Sequence, residues 1–195
     1  KNGKTFFVRG GKLGYDVGWV GQVSSRQSVN DGQWHHVSAT RTKAGRVTLY
    51  IDGKQAANAT LASRDEAGHI VCLGYTATDF MPAFKGQMDE VRIFKRVLSV
   101  KELVALAAGK GPDDASAHWS FDEVKGAQIA NAKGGNYTGT NRGAKRVEGK
   151  TGQGLQFNGR AQVMIGGRAR GKGTTSRAMR RNSRVDDWFL RGLAC

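Results

Sequence analysis

The chain has 195 residues with 28 glycines and only two prolines, a composition that suits many short strands joined by glycine turns and argues against a helical protein. Its formal charge is +15, but seven arginines and one lysine against two aspartates fall in residues 167–195. The remaining basic side chains are scattered without interleaved aromatics, so no specific nucleic-acid surface is indicated. No apolar run approaches the roughly 20 residues of a bilayer span, and two cysteines, Cys72 and Cys195, are too few for a disulfide framework.

Residues 5–8 and 13–17 are two alternating stretches on either side of Gly10-Gly11, a pair suited to a two-residue hairpin turn. Residues 18–21, Gly-Trp-Val-Gly, interrupt the pattern, and residues 22–29 read as a weaker strand. The clearest signal comes next. Asn30-Asp31-Gly32-Gln33-Trp34-His35-His36-Val37 leads on to Arg46-Val47-Thr48-Leu49-Tyr50-Ile51-Asp52-Gly53-Lys54. Val37, Ala39, Val47, Leu49 and Ile51 recur at period two, so one face is expected to be apolar. The other is expected to carry Ser38, Thr40, Arg46, Thr48 and Tyr50, giving a half-buried antiparallel hairpin turned at Lys43-Ala44-Gly45 and closed by Asp52-Gly53. Residues 55–61 supply a return strand. Residues 69–73 form a short apolar one, in which Cys72 is read as a small core residue. A strand over 88–94 follows, where Met88, Val91 and Ile93 fall out of step and predict a bulge at Asp89-Glu90.

One helix is predicted, starting at Ser99. Ser99 and Glu102 form an S-x-x-E capping box, Val100, Leu103, Val104 and Leu106 are its expected apolar stripe, and Gly109 is placed to end it. Residues 110–116 are polar and helix-breaking and read as a linker. Beyond it stand Ala117-His118-Trp119-Ser120-Phe121-Asp122-Glu123 and Gly149-Lys150-Thr151-Gly152-Gln153-Gly154-Leu155-Gln156-Phe157-Asn158-Gly159. In residues 167–195, glycines and arginines replace alternation, and apolar residues cluster only at Trp188-Phe189-Leu190. This stretch reads as a basic tail, disordered or off-pattern, that adds nothing to a core.

The D-G-x-W-H-x-V stretch at residues 31–37, the L-Y-I-D-G turn at 49–53 and the Phe84-Lys85-Gly86-Gln87-Met88-Asp89-Glu90-Val91-Arg92-Ile93-Phe94 strand resemble the laminin G-like family of concanavalin A-like jelly rolls. The W-x-F-D-E strand and the G-K-x-G-x-G-L-x-F-N-G run after the linker resemble the opening of the same family. The resemblance implies an all-β, antiparallel jelly-roll sandwich with one short helix. Residues 1–109 would be the C-terminal part of one unit and 117–166 the N-terminal part of a second. Because the W-x-F-D-E and D-E-V-R-I strands are neighbours in that family, antiparallel pairing of 88–94 with 118–121 is predicted, in the manner of a circular permutation. The chain is expected to be part of a larger exported protein, extracellular or at the cell surface, with no signal peptide in this stretch. Its expected role is non-catalytic binding or adhesion, directed at carbohydrate or another cell-surface or matrix ligand. A structural spacer and an accessory domain of an enzyme are the alternatives.

The residues are consistent with that role. Glycoside hydrolysis on a strand face needs two carboxylates pointing the same way, whereas Asp89 and Glu90 are adjacent, so catalysis is not expected. His35 and His36 are likewise adjacent and diverge, so they read as sandwich positions rather than metal ligands. No cofactor is expected apart from calcium. Asn158 stands where the family often has Asp, leaving Asp79 and Asp89 as candidate calcium ligands. Sugar recognition requires an exposed ring with polar neighbours, and the candidates are Trp19, Tyr75, Asp79 and Phe80, all on loops.

Overall fold

The computed structural model describes residues 3–64, 71–75, 83–135, 137–166 and 187–194, with only the backbone at 124–125 and 187–194. In chain order the elements are β1 (Lys4–Arg9), β2 (Lys12–Val17), β3 (Gly21–Ser28), β4 (His35–Arg41), β5 (Arg46–Ile51), β6 (Lys54–Thr60), β7 (Val71–Leu73), β8 (Lys85–Met88) and β9 (Val91–Phe94). Helix α1 (Val100–Ala107) follows, then β10 (Ala117–Trp119), β11 (Val124–Lys125), β12 (Gln128–Ile129), β13 (Gly139–Arg142), β14 (Lys145–Glu148), β15 (Gln153–Asn158), β16 (Gln162–Ile165) and β17 (Asp187–Ala194). Every pairing is antiparallel.

Strands β1, β2 and β3 form a meander, and β11, β12, β13, β16 and β7 form a second sheet. The largest sheet runs β14-β15-β8-β17-β4-β5-β6, with β9 beside β17 and β10 beside β9. One buried cluster joins all three sheets: Leu13, Tyr15 and Val17 from the meander, Val37, Leu49 and Ile51 from the large sheet, and Leu73, Ile129, Val163 and Ile165 from the third. The two smaller sheets therefore cover one face of the large one. The chain reverses where the sequence places positive φ, at Gly10-Gly11 (57° and 77°) and at Asp52-Gly53 (51° and 75°).

The expected half-buried hairpin is buried on both faces. Val37, Ala39, Val47, Leu49 and Ile51 enter the main core, but Ser38, Thr40, Thr48 and Tyr50 on the other face are also buried, while Arg46 at the strand start stays exposed. Tyr50 belongs to a second cluster with Phe94, Leu98, Leu103, Leu106 and Ala115, where α1 covers the large sheet. The capping box forms as predicted, with Ser99 and Glu102 satisfying each other's backbone N–H groups. The expected helix stripe splits. Leu103 and Leu106 are buried, while Val100 and Val104 are half exposed, because the helix turns only one narrow strip to the sheet.

The stretches before and after residues 110–116 interleave. Trp119 stands opposite Val91 and Ala117 opposite Ile93, so the predicted pairing of the D-E-V-R-I and W-x-F-D-E strands is present. β15 also pairs with β8, and β16 with β7. The connecting segment is held at several points: Asp114 pairs with Arg96, Asp113 with Lys133, and Ser116 donates to the Ile93 carbonyl. The expected bulge lies between β8 and β9, where Glu90 has φ 56°. β8 bonds to β15 and β9 to β10, so the strand changes partner there.

The expectation that the basic tail stays apart from the sandwich is corrected at Asp187–Ala194. The backbone of this strand runs between β4 and the β8–β9 pair, with Trp188 opposite Ala39 on one side and Ile93 on the other. Each neighbour presents a row of peptide N–H and C=O groups, and an inserted strand satisfies both rows at once. Eight residues with only a brief apolar cluster were too short to show alternation in the sequence.

Candidate functional site

Trp19 sits at the tip of the β2–β3 connection. Val20 N–H donates to the Val17 carbonyl at 2.9 Å and closes a turn around Gly18 and Trp19, and Gly18 N–H donates to the Gly3 carbonyl at 2.9 Å. Trp19 takes φ 67° in this turn, at a position usually given to glycine. Holding a large residue there costs about 1–3 kcal/mol. The ring is 91% exposed and Val20 beside it 43%, so neither recovers that cost by burial.

The neighbouring segments bring positive charge to this end. A Cβ at Gly21 would lie 3.4 Å from the Leu61 Cδ2, and Leu61 N–H donates to the Gly45 carbonyl at 2.8 Å, which places the β4–β5 turn and residues 61–64 beside the Trp19 turn. Buried Arg41 holds that segment by donating to the Ser63 carbonyl at 2.8 Å and to its Oγ at 3.0 Å. Lys4 Nζ reaches the Arg64 carbonyl. Lys43, Arg46 and Arg64 are exposed around it.

The other sequence candidates do not join this cluster. Tyr75 is 44% exposed but follows β7 in a different sheet. Asp79 and Phe80 lie outside the described residues. Asp89 is completely buried at the β8–β9 bulge, and its Oδ2 accepts the Thr151 N–H at 2.9 Å. A Cβ at Gly149 would lie 2.8 Å from that oxygen, so the glycine lets the loop close on the carboxylate. Burial pushes the Asp89 pKa up to about 6, against the lowering effect of the Thr151 N–H, and Glu90 and Asp122 add repulsion. Glu90 is engaged by Arg92 at 2.5 Å and His118 at 3.2 Å. These acids thus tie residues 117–154 to the bulge. Among the described residues, no group of three or more His, Cys, Asp or Glu side chains is placed to hold a metal ion.

The sequence reading missed the role of His35. Its Nδ1 lies 2.8 Å from Asp52 Oδ2 and its Nε2 3.0 Å from Asp31 Oδ1. Two carboxylates are met at once only by an imidazolium, which carries a proton on each nitrogen. Burial opposes that charge, but the two carboxylates together outweigh it and raise the pKa. The signal was present in the Asp31 to His35 spacing and the Asp-Gly turn, but adjacency of the two histidines concealed it.

A laminin G-type family model, described as the concanavalin A-like lectin/glucanases superfamily, matches residues 1–104. The chain is 33% identical over 107 residues to the Rattus norvegicus protein named "Sushi, von Willebrand factor type A, EGF and pentraxin domain-containing protein 1", covering 47% of this chain and 3% of that protein. The Mus musculus protein of the same name is 33% identical over 115 residues, covering 51% of this chain and 3% of its own length. The chain therefore spans a small fraction of these relatives. No solved structure gives a significant match.

Proposed function

The chain belongs to the concanavalin A-like lectin/glucanases superfamily, and from that premise we propose that it is a non-catalytic, carbohydrate-directed binding module of a larger extracellular protein. The observation that carries this reading is Trp19, 91% exposed at a left-handed φ on a hairpin tip. Strained backbone that presents a large ring to solvent is stability given up for a contact outside the fold. A flat indole near cationic side chains suits the apolar face and polar rim of a pyranose.

The acids support the non-catalytic half of the reading. A retaining or inverting hydrolase needs two carboxylates facing the sugar across a few ångströms. Asp89 is fully buried and Glu90 is 5% exposed and engaged by Arg92 and His118, so neither faces a ligand. Binding on a glycan array that disappears with Trp19→Ala, while the thermal midpoint is kept, is the expected result. Full retention of binding by that variant would displace the site from the hairpin tip, and absence of any glycan binding would favour a spacer role.

A further inference from the structure

Strand β6 ends the largest sheet: one side pairs with β5, and the other has no partner strand among the described residues. An open side is a row of peptide N–H and C=O groups on which another chain can add a strand, and natural edges are blunted by charge, proline, a bulge or a cover. β6 begins with Lys54, and its register slips against β5 at Ala56. From Ala57 to Thr60 it then reads Ala-Asn-Ala-Thr, with neither a charge nor a proline. The two faces of this half differ. Ala57 stands opposite Leu49 and Ala59 opposite Val47, and both alanines pack against the main core. Asn58 stands opposite Thr48 and Thr60 opposite Arg46, on the other face, and Asn58 and Thr60 are exposed. Helix α1 meets that face at Tyr50 and at the turn, where a Cβ at Gly53 would lie 2.9 Å from Val104 Cγ2, and Asn58 is five residues past Gly53. Asparagine is a poor strand former, and among the described residues the Asn58 amide has no hydrogen-bond partner.

Asn58-Ala59-Thr60 is the N-x-T pattern, with a middle residue other than proline, that accepts N-linked sugar in exported chains. We propose that Asn58 is an N-glycan acceptor and that its glycan covers the open edge of β6. The donor class is an oligosaccharide carried on a lipid pyrophosphate. The Asn58 side-chain nitrogen attacks C1 of its first sugar, and the C1–oxygen bond to the pyrophosphate breaks. The lipid pyrophosphate leaves with that electron pair, and the amide nitrogen gives up one proton. The fold has room for the product, because Asn58 faces solvent between the short side chains of Ala57 and Ala59. A glycan is bulky and solvated, and here it stands where an incoming strand would have to lie. The inference rests on the extracellular half of the reading above and is independent of the carbohydrate ligand.

The test is secretion of the full chain from cultured eukaryotic cells behind an export signal, then peptide mapping with and without an amidase that releases N-glycans. Residues 136–138 form a second N-x-T pattern, so Asn136→Gln is carried throughout and the signal belongs to residue 58. Release turns an acceptor asparagine into aspartate, and that change is expected at Asn58. Asn58→Gln and Thr60→Ala are expected to lose the glycan completely, and Thr60→Ser to keep it. Light scattering of the amidase-treated chain, of Asn58→Gln and of Thr60→Ala is expected to rise with protein concentration above that of the glycosylated chain, with melting curves unchanged. Thr60→Ala retains Asn58 and lacks only the sugar, which separates the glycan from the side chain that bears it. A secreted, folded chain with unmodified Asn58 would overturn the acceptor and leave the extracellular reading standing. Modification whose removal leaves the scattering unchanged would overturn the edge cover. Failure of the chain to leave the cell folded, with Asn58 or with Asn58→Gln alike, would overturn the extracellular reading itself.

Discussion

Two tryptophans occupy opposite environments in this molecule. Trp119 on β10 is 1% exposed, packs in the main core, and donates its indole N–H to the Tyr137 carbonyl at 2.8 Å. Trp19 on the hairpin tip is 91% exposed. Both regions hold strained backbone, since Phe121 two residues after Trp119 has φ 64° and Trp19 itself has φ 67°. At the β8–β10 junction the strain is enclosed by packing, with Phe121 1% exposed and Asp89 gripping the Thr151 N–H. At the tip nothing covers the strained residue. The difference separates aromatic area that holds the fold from aromatic area that is available to a ligand.

The largest expected effect lies on the buried side. Trp119→Ala removes a core ring and a satisfied indole donor, and should lower stability by about 3–5 kcal/mol. Trp19→Ala should change it by no more than about 0.5 kcal/mol. Urea unfolding of both variants measures the contrast, and similar losses would erase it.

Next in size is the buried carboxyl. Asp89 has a folded pKa raised to about 6 from 3.8. Its stabilising contribution is complete below about pH 4 and is lost as the pH rises through 6. Two units correspond to roughly 3 kcal/mol at most. Relative to wild type, Asp89→Asn should therefore gain stability between pH 4 and 7, as read from unfolding free energies of the pair at each pH. A constant difference would show that the junction carboxyl is not burdened by its burial.

On the exposed side the expected sign reverses. Trp19→Gly should raise stability by about 1 kcal/mol, because glycine accepts the positive φ without strain, while abolishing ligand binding. A destabilised glycine variant would mean that the indole packs on the fold after all.

The smallest effect concerns His35 near the open end of β4. Its folded pKa is raised above 6.5, so its contribution is full below about pH 6.5 and fades as the pH rises through the raised value. An NMR titration should place the imidazole above 6.5, and Asp31→Asn should bring it down. No response to Asp31→Asn would remove that carboxylate from the clamp.

Much of this contrast was legible in the sequence, though unevenly. The period-two positions of residues 37–51 marked the inward face, and Gly10-Gly11 and Asp52-Gly53 marked their turns. Ser99 with Glu102 marked the helix start, and the slipped apolar positions marked the bulge at Asp89-Glu90. Trp19 stood out because it lay between glycines where alternation failed. By contrast, Phe7 looked like one more apolar strand residue, since Gly14, against which its ring lies, is seven positions away and meets it only through the β1–β2 register. Asp89 looked like a calcium candidate because its acid neighbours were visible and its burial was not.

What the sequence determined by itself is what a few neighbouring residues can specify: strand period, turn conformation and helix cap; the pairing of residues 88–94 with 118–121 was expected only from the family resemblance. Tertiary structure decided which surfaces cover which. It buried both faces of β4 and β5, placed the Asp187–Ala194 backbone beside β4, and brought the Thr151 N–H to Asp89 across 62 residues of chain. Side-chain alternation states only that a strand has two faces. Whether the second face meets solvent, a helix or another sheet depends on segments far away in the chain, whose docking is selected by the summed burial of the whole sandwich and not by any local pattern.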